Sequence, residues 1–322
     1  MWQTIVRRFL ILIPQLLILS FLVFFLGYMM PGDALRGLAN PGTTPEQIEM
    51  LRATWGLDDP MLVQYGRWMR GIFTEFDFGR SVTQQRPVTG VIGDRMMNTV
   101  RLSFLTTLFM YAIAIPLGIL AAKKKGRIID KSIMVYTFVA LSMPTVVIAL
   151  INLLIFGFRL NWFPTLGSVA IAADFAGGLT RFASQLHHAL LPAITLAIIS
   201  TVGTIYFLRN EIIDNDASDF VMTARAKGIP ESRVYNRHIL RNALLPLAGG
   251  FGSIISGLFV GSIFIETVFA FSGMGELFVT SILRQDWPVA NTLILFYAVL
   301  TVIAMLMTDI IITIIDPRIR IK

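Results

Sequence analysis

The stretch Arg209 to Arg241, RNEIIDNDASDFVMTARAKGIPESRVYNRHILR, is a polar island between two strongly hydrophobic runs. Asp219 is a suitable N-cap acceptor for the run Phe220 to Lys227, whose cations collect in the last turn, and Gly228 can take the left-handed conformation that ends a helix. Pro230 suits the first turn of a second helix, along which Arg233, Arg237 and Arg241 recur every four residues as one basic stripe. The pattern predicts a short helix, a glycine break and a basic helix, presented together as a docking surface. It equally suits a basic helix lying on anionic lipid.

Outward from the island the chain is apolar. Of its 322 residues 55% are hydrophobic and 15% charged, and the mean hydropathy is +0.70. A soluble domain carries about 45–50% apolar and about 25% charged residues, so the sequence predicts an all-α polytopic membrane protein. A hydrocarbon core about 30 Å thick takes about 20 apolar helical residues. Six segments reach that length: Phe9 to Met30, Leu102 to Ala122, Ser132 to Phe158, Ala189 to Leu208, Ala243 to Ile265 and Val289 to Ile315. The first outruns a signal-peptide core of about 7–15 residues and is followed by no small-x-small cleavage site, so it is expected to stay as an anchor.

The expected organisation is residues 1–30 as N-terminus and first span, 31–101 as a folded extracytoplasmic insertion, 102–315 as the core carrying island 209–241, and 316–322 as a tail. Placing the N-terminus, Lys123 to Lys131, the island and the tail on one side collects 16 of the 27 Lys and Arg residues. Both termini are then cytoplasmic. This bias also accounts for the net charge of +7 without nucleic acid. Within the insertion, Thr44 before Pro45 starts a helix that Gly56 can end. Asp59 before Pro60 starts another, with Leu62, Tyr65, Met69, Ile72, Phe73 and Phe76 along one face.

Catalytic signatures are missing from the sequence: there is no GxxxxGK[ST], HExxH or GxSxG, and no cysteine. His187, His188 and His238 have no metal-ligand spacing. No enzyme, bound cofactor or metal site is expected. Charge within the spans is nearly confined to Asp309, with Glu266 just past the fifth; both are read as structural charges. An ion-coupled carrier needs embedded ionisable sites, so the driving energy is expected from elsewhere. The fifth span repeats Gly249, Ser253, Gly257 and Gly261 at spacing four, with Gly252 and Ser256 beside them. That smooth face suits helix packing or a pathway between subunits. Pro14, Pro116, Pro144, Pro192 and Pro246 mark kinks or helix starts.

The order of motifs then carries a resemblance over nearly the whole chain. Pro31-Gly32-Asp33, Trp55-Gly56-Leu57-Asp58-Asp59-Pro60, Asp77-Phe78-Gly79, Ser142-Met143-Pro144, Trp162-Phe163-Pro164, Leu191-Pro192-Ala193, Thr223 to Gly228, Arg241 to Pro246 and Asp316 to Arg320 follow one another as in the permease subunit of peptide- and nickel-type ABC importers, closest in pattern to the B-type oligopeptide/dipeptide permease. The resemblance implies a type I importer permease fold in a bacterial cytoplasmic membrane. It implies a heterodimer with a second permease, two ATPase subunits that bind ATP and Mg, and an extracytoplasmic solute-binding protein that delivers the cargo. The island resembles the EAA loop, the segment that docks into the ATPase.

The resemblance transfers Ala224 and Gly228, with Asp219, Phe220, Val221, Thr223, Arg225 and Lys227 as further coupling contacts, and points to Gly249, Ser253, Ser256, Gly257 and Gly261 as pathway or packing positions. Met222-Thr223-Ala224 stands where the general pattern begins with Glu. Phe76 and Ser272 replace a usual Gly and Pro. Peptide is expected as cargo, with nickel of the same family left as an alternative; from another class, an autonomous channel or secondary carrier remains.

Overall fold

A computed structural model describes residues 2–29, 44–56 and 58–315. Pro31-Gly32-Asp33, Leu57 and the closing Asp316 to Arg320 lie outside the described residues. The described residues form helices joined by turns, with one antiparallel bridge among them, Arg80 to Pro87. In chain order the helices are α1 (Trp2–Met29), α2 (Pro45–Trp55), α3 (Met61–Glu75), α4 (Val88–Lys123), α5 (Ile128–Ser142), α6 (Thr145–Asn152), α7 (Ile171–Ala176), α8 (Gly178–Asp216), α9 (Asp219–Ala226), α10 (Glu231–Arg233), α11 (Arg241–Gly249), α12 (Phe251–Val268), α13 (Met274–Leu283) and α14 (Trp287–Ile315). π-helical turns continue α6 over Leu153–Arg159 and α10 over Val234–Leu240.

Among the described residues four helices are long and apolar enough to cross a membrane: α1, α4, α8 and α14. A bent pair, α5 with α6 and its π extension, makes a fifth if taken as one span. Two of the six expected spans are not single continuous helices. Ser132 to Phe158 is bent by 105°, because Pro144 cannot continue a helix and forces Met143 into extended backbone (φ −88°, ψ 133°). Ala243 to Ile265 is divided between α11 and α12 at Gly250. Pro14, Pro116 and Pro192 instead sit inside continuous helices.

The chain forms two compact units, Met1–Thr99 with Ser272–Val302, and Val100–Phe271 with Ile303–Lys322. In the first, α2 starts at Thr44 and ends at left-handed Gly56 (φ 61°) as expected, and it carries a capping box in which Thr44 and Gln47 satisfy each other's backbone amides. α3 is capped by Pro60, not Asp59, whose carboxylate pairs with Arg67 instead. Its apolar face is only partly used: Tyr65 sets its ring edge-on to Phe21 of α1 at 5.4 Å, and its hydroxyl shares a hydrogen bond with Ser20 at 2.8 Å. Leu62, Phe73 and Phe76 stay exposed. The turn after α3 is held by Asp286, a buried carboxylate. It accepts from the hydroxyls of Ser81 and Thr83 and from the amides of Val82 and Thr83, which offsets the cost of burying a charge.

The second unit is built along α8. Toward its N-terminal end Leu191, Ala193 and Leu196 pack with Leu102, Ala149, Leu153, Ile265, Phe269 and Phe271. Midway, Ile205 meets Ala114, Ala121 and Ile133. A Cβ on Gly118 of α4 would come within 3.2 Å of Leu208, so glycine sets the separation of α4 and α8 there. At its C-terminal end Leu208 and Ile212 join Ala122, Val234, Ile239, Ala243 and Leu247 beneath α9.

Candidate coupling segment

The island folds as a short helix, a glycine turn and a second helical run. Ser218, in extended backbone (φ −77°, ψ 153°), is the N-cap in place of Asp219, and its hydroxyl donates back to the Asn215 carbonyl. Asp219 becomes the first helical residue, where a carboxylate still favours the positive end of the helix dipole. At the other end the amide of Gly228 donates to the Arg225 carbonyl at 2.9 Å and that of Ile229 to the Ala224 carbonyl at 3.3 Å. These are the two bonds of a Schellman ending. Gly228 takes the left-handed φ of +72° that this ending requires, with open space around its Cα.

α9 is amphipathic across its short length. Val221 and Ala224, three residues apart on one face, are 0% and 5% exposed and close over Leu208, Ile212, Val234 and Ile239. Phe220, four residues before Ala224 and so at the border of that face, and Met222, on the far side, are 42% and 55% exposed; Thr223, Lys227 and Gly228 are exposed as well. Of the residues expected as contacts for a partner, Val221 and Ala224 are thus turned into the chain's own core. Met222 was not among the expected contacts, although a spacing of three between Val221 and Ala224 already places it on the other face.

Arg225 is also engaged within the chain. Its guanidinium donates to both carboxylate oxygens of Glu231, at 3.2 and 2.7 Å, and to Asp216 at 2.6 Å, joining α9 to the ends of α8 and α10. These hydrogen bonds raise the Arg225 pKa, and the one from Arg225 lowers that of Glu231. Beyond Pro230 the predicted α-helix is mostly π-helical, yet Arg233, Arg237 and Arg241 all remain exposed. Beside them the ammonium of Lys123 stands 4.2 Å over the ring of Tyr235, a cation–π contact from the end of α4.

The glycine-rich positions divide between α11, which holds Gly249, and α12, which holds Ser253, Ser256, Gly257 and Gly261. The side-chain surroundings of Gly249, Ser253, Gly257, Gly261 and Asp309 lie outside the described residues. At Gly252 a Cβ would collide with the Ala304 carbonyl and the Thr308 hydroxyl of α14, so this glycine serves helix packing. Glu266 lies within α12 rather than past its end; it is fully buried and accepts from the Ser262 hydroxyl at 3.0 Å. An open apolar groove of about 680 Å³ follows one face of α4, from Val100 to Pro116, and is lined on its other side by Phe259 of α12. Of these lining residues the sequence named only Pro116, as a kink or helix start, because a face at helical spacing is the same in a core and in a cavity wall.

Known proteins place this arrangement. The family described as "Binding-protein-dependent transport system inner membrane component" matches residues 114–321, and its N-terminal companion matches residues 1–103. The chain is 36% identical over 317 residues to the oligopeptide transport system permease protein AppB of Bacillus subtilis, covering 98% of each. It is 32% identical over 321 residues to the dipeptide transport system permease protein DppB of Lactococcus lactis, covering 99% of this chain and 100% of the relative. Among solved structures, a chain of the MetNI methionine ABC transporter in an inward-facing conformation superposes with a TM-score of 0.56 at 14% identity, over 71% of this chain and 97% of that one; the likeness is one of fold. With the family matched across most of its length and relatives aligned from end to end, this chain belongs to the binding-protein-dependent transport system inner membrane component family.

Proposed function

We propose that this chain is the permease subunit of an ATP-driven importer that takes up oligopeptides or dipeptides handed over by an extracytoplasmic solute-binding protein. Membership of the family supports the importer, and the names of the aligned oligopeptide and dipeptide permeases support the cargo. The observation that carries the coupling role is α9: a helix whose inner face is locked to α8 while Phe220 and Met222 project outward. Apolar side chains exposed on a short, braced helix suit a groove on a partner protein better than water.

In this reading the chain crosses the membrane six times with both termini in the cytoplasm and pairs with a second permease. Two ATPase subunits bind ATP and Mg and close on each other; the closure displaces α9 and turns the spans outward. The chain itself hydrolyses nothing. Its residues hold α9 in register and line half of the path.

The test is purification of the tagged chain from its native membrane in mild detergent, with identification of stoichiometric companions by mass spectrometry. A second permease and ATPase subunits are expected. An intact chain recovered alone and still moving solute in liposomes overturns the reading in favour of an autonomous carrier. For the cargo, loss of labelled oligopeptide uptake on deletion, with nickel uptake retained, is expected; the reverse pattern moves the assignment to nickel.

A further inference from the structure

The second unit contains an ion pair that ties Arg209, the first residue of the island, to the start of α5. Asp130, in the first turn of α5, has a side chain 4% exposed, and Arg209 of α8 is 19% exposed. Arg209 Nε donates to Asp130 Oδ1 at 2.7 Å and Nη2 to Oδ2 at 2.8 Å. The amide of Gly126, in the α4–α5 turn, adds a third donor to Oδ2 at 2.8 Å. One carboxylate therefore holds both the turn and α8. A two-pronged guanidinium–carboxylate contact fixes direction as well as distance, so it resists sliding of one helix along the other. Higher up, the Tyr136 hydroxyl of α5 donates to the Ile198 carbonyl at 3.0 Å and shares a hydrogen bond with Thr201. α5 is thus tethered to α8 at two levels.

Seven residues beyond Arg209, about 10 Å along the helix, Asp216 receives Arg225 of α9. Between them Ile212 lies under Val221 and Ala224. The same short length of α8 is therefore gripped by α5 above and by α9 below. From this we infer that Asp130 and Arg209 are positioning residues that make the α4–α5 turn and the start of α5 travel with the coupling helix as one body. Displacement of α9 by a nucleotide-driven partner then reaches α5 without loss. The inference rests on the importer reading and adds to it the element that receives the motion.

The chain has no cysteine, so spin labels placed through Ile128→Cys on α5 and Ser232→Cys on α10, both exposed, report a single distance in the complex once partner cysteines are replaced. It is measured in the assembled complex without nucleotide and after trapping with ATP and vanadate. The expected result is one narrow distance population that nucleotide leaves unchanged, and a second population appearing on trapping in Asp130→Asn. Because that variant strands a buried guanidinium and can fail to fold, Asp130→Leu with Arg209→Met, which removes both charges, is measured beside it at matched melting temperature.

A wild-type distance that shifts with nucleotide, or a double variant as invariant as the wild type, overturns the inference and leaves the pair a static fold contact. Failure of ATPase subunits to co-purify with the wild type is a separate result; it removes the importer reading and this inference with it.

Discussion

At the scale of single residues, the backbone decides more than side-chain contacts do. Gly228 has a left-handed φ and nothing near its Cα, so Gly228→Val meets no clash and costs only backbone strain, about 1–2 kcal/mol. The Schellman turn is then expected to open and the yield of co-purified ATPase to fall, whereas Gly228→Asn retains it. Phe76 is the opposite case. It ends α3 with φ 52° and is 77% exposed, a left-handed position held by a bulky residue. Phe76→Gly is expected to stabilise the protein by about 1 kcal/mol, seen as a raised melting temperature in detergent; an unchanged or lower value refutes the strain. Asp286, gripping four donors, is expected to give a lowered melting temperature on replacement by Ala, a loss of about 2–3 kcal/mol, since the Ser81 hydroxyl and the Val82 amide stay buried without it.

At the scale of elements, α9 separates two kinds of residue that the sequence grouped together. Phe220→Ala with Met222→Ala is expected to weaken ATPase co-purification while leaving the melting temperature unchanged. Ala224→Leu is expected to lower the melting temperature by overpacking, at about 1–3 kcal/mol. Equal effects of the two on stability refute the assignment of faces. The brace from Arg225 has a defined pH range. The Arg225 hydrogen bond depresses the Glu231 pKa below its ordinary 4.5, so the tether contributes above that value and is lost as pH falls through the depressed one. Hydrogen exchange in α9 is therefore expected to be flat from about pH 6 to pH 8 after correction for intrinsic rates, and Glu231→Gln to raise it throughout that range. The helix boundaries of the island were legible in its punctuation, Asp219, Gly228 and Pro230, within one residue. Its inward and outward faces were legible only in part, because eight residues make two turns and leave the core face unmarked until α8 and the π-helical turns close on it.

At the scale of the whole molecule, composition and the order of motifs already identify an all-helical membrane protein of the importer permease family, because lipid demands long apolar helices and these motifs recur together. Reporter fusions at both termini are expected to be active only on the cytoplasmic side; an odd number of crossings would place one of them outside. The sequence read Ser132 to Phe158 and Ala243 to Ile265 as single spans, since hydropathy registers length and not direction. The bend at Met143-Pro144 and the division at Gly250 depend on how each half packs, the first against α8 and α12 and the second between α8 and α14. The sequence alone therefore determined the class, the family pattern and the position of the polar island, all of which follow from local chemistry along the chain. Only the tertiary structure decided which face of α9 is free, that Arg225 braces its own chain, and that Asp130 meets Arg209 across 79 positions. No periodicity within one segment encodes a partner that packing supplies from another.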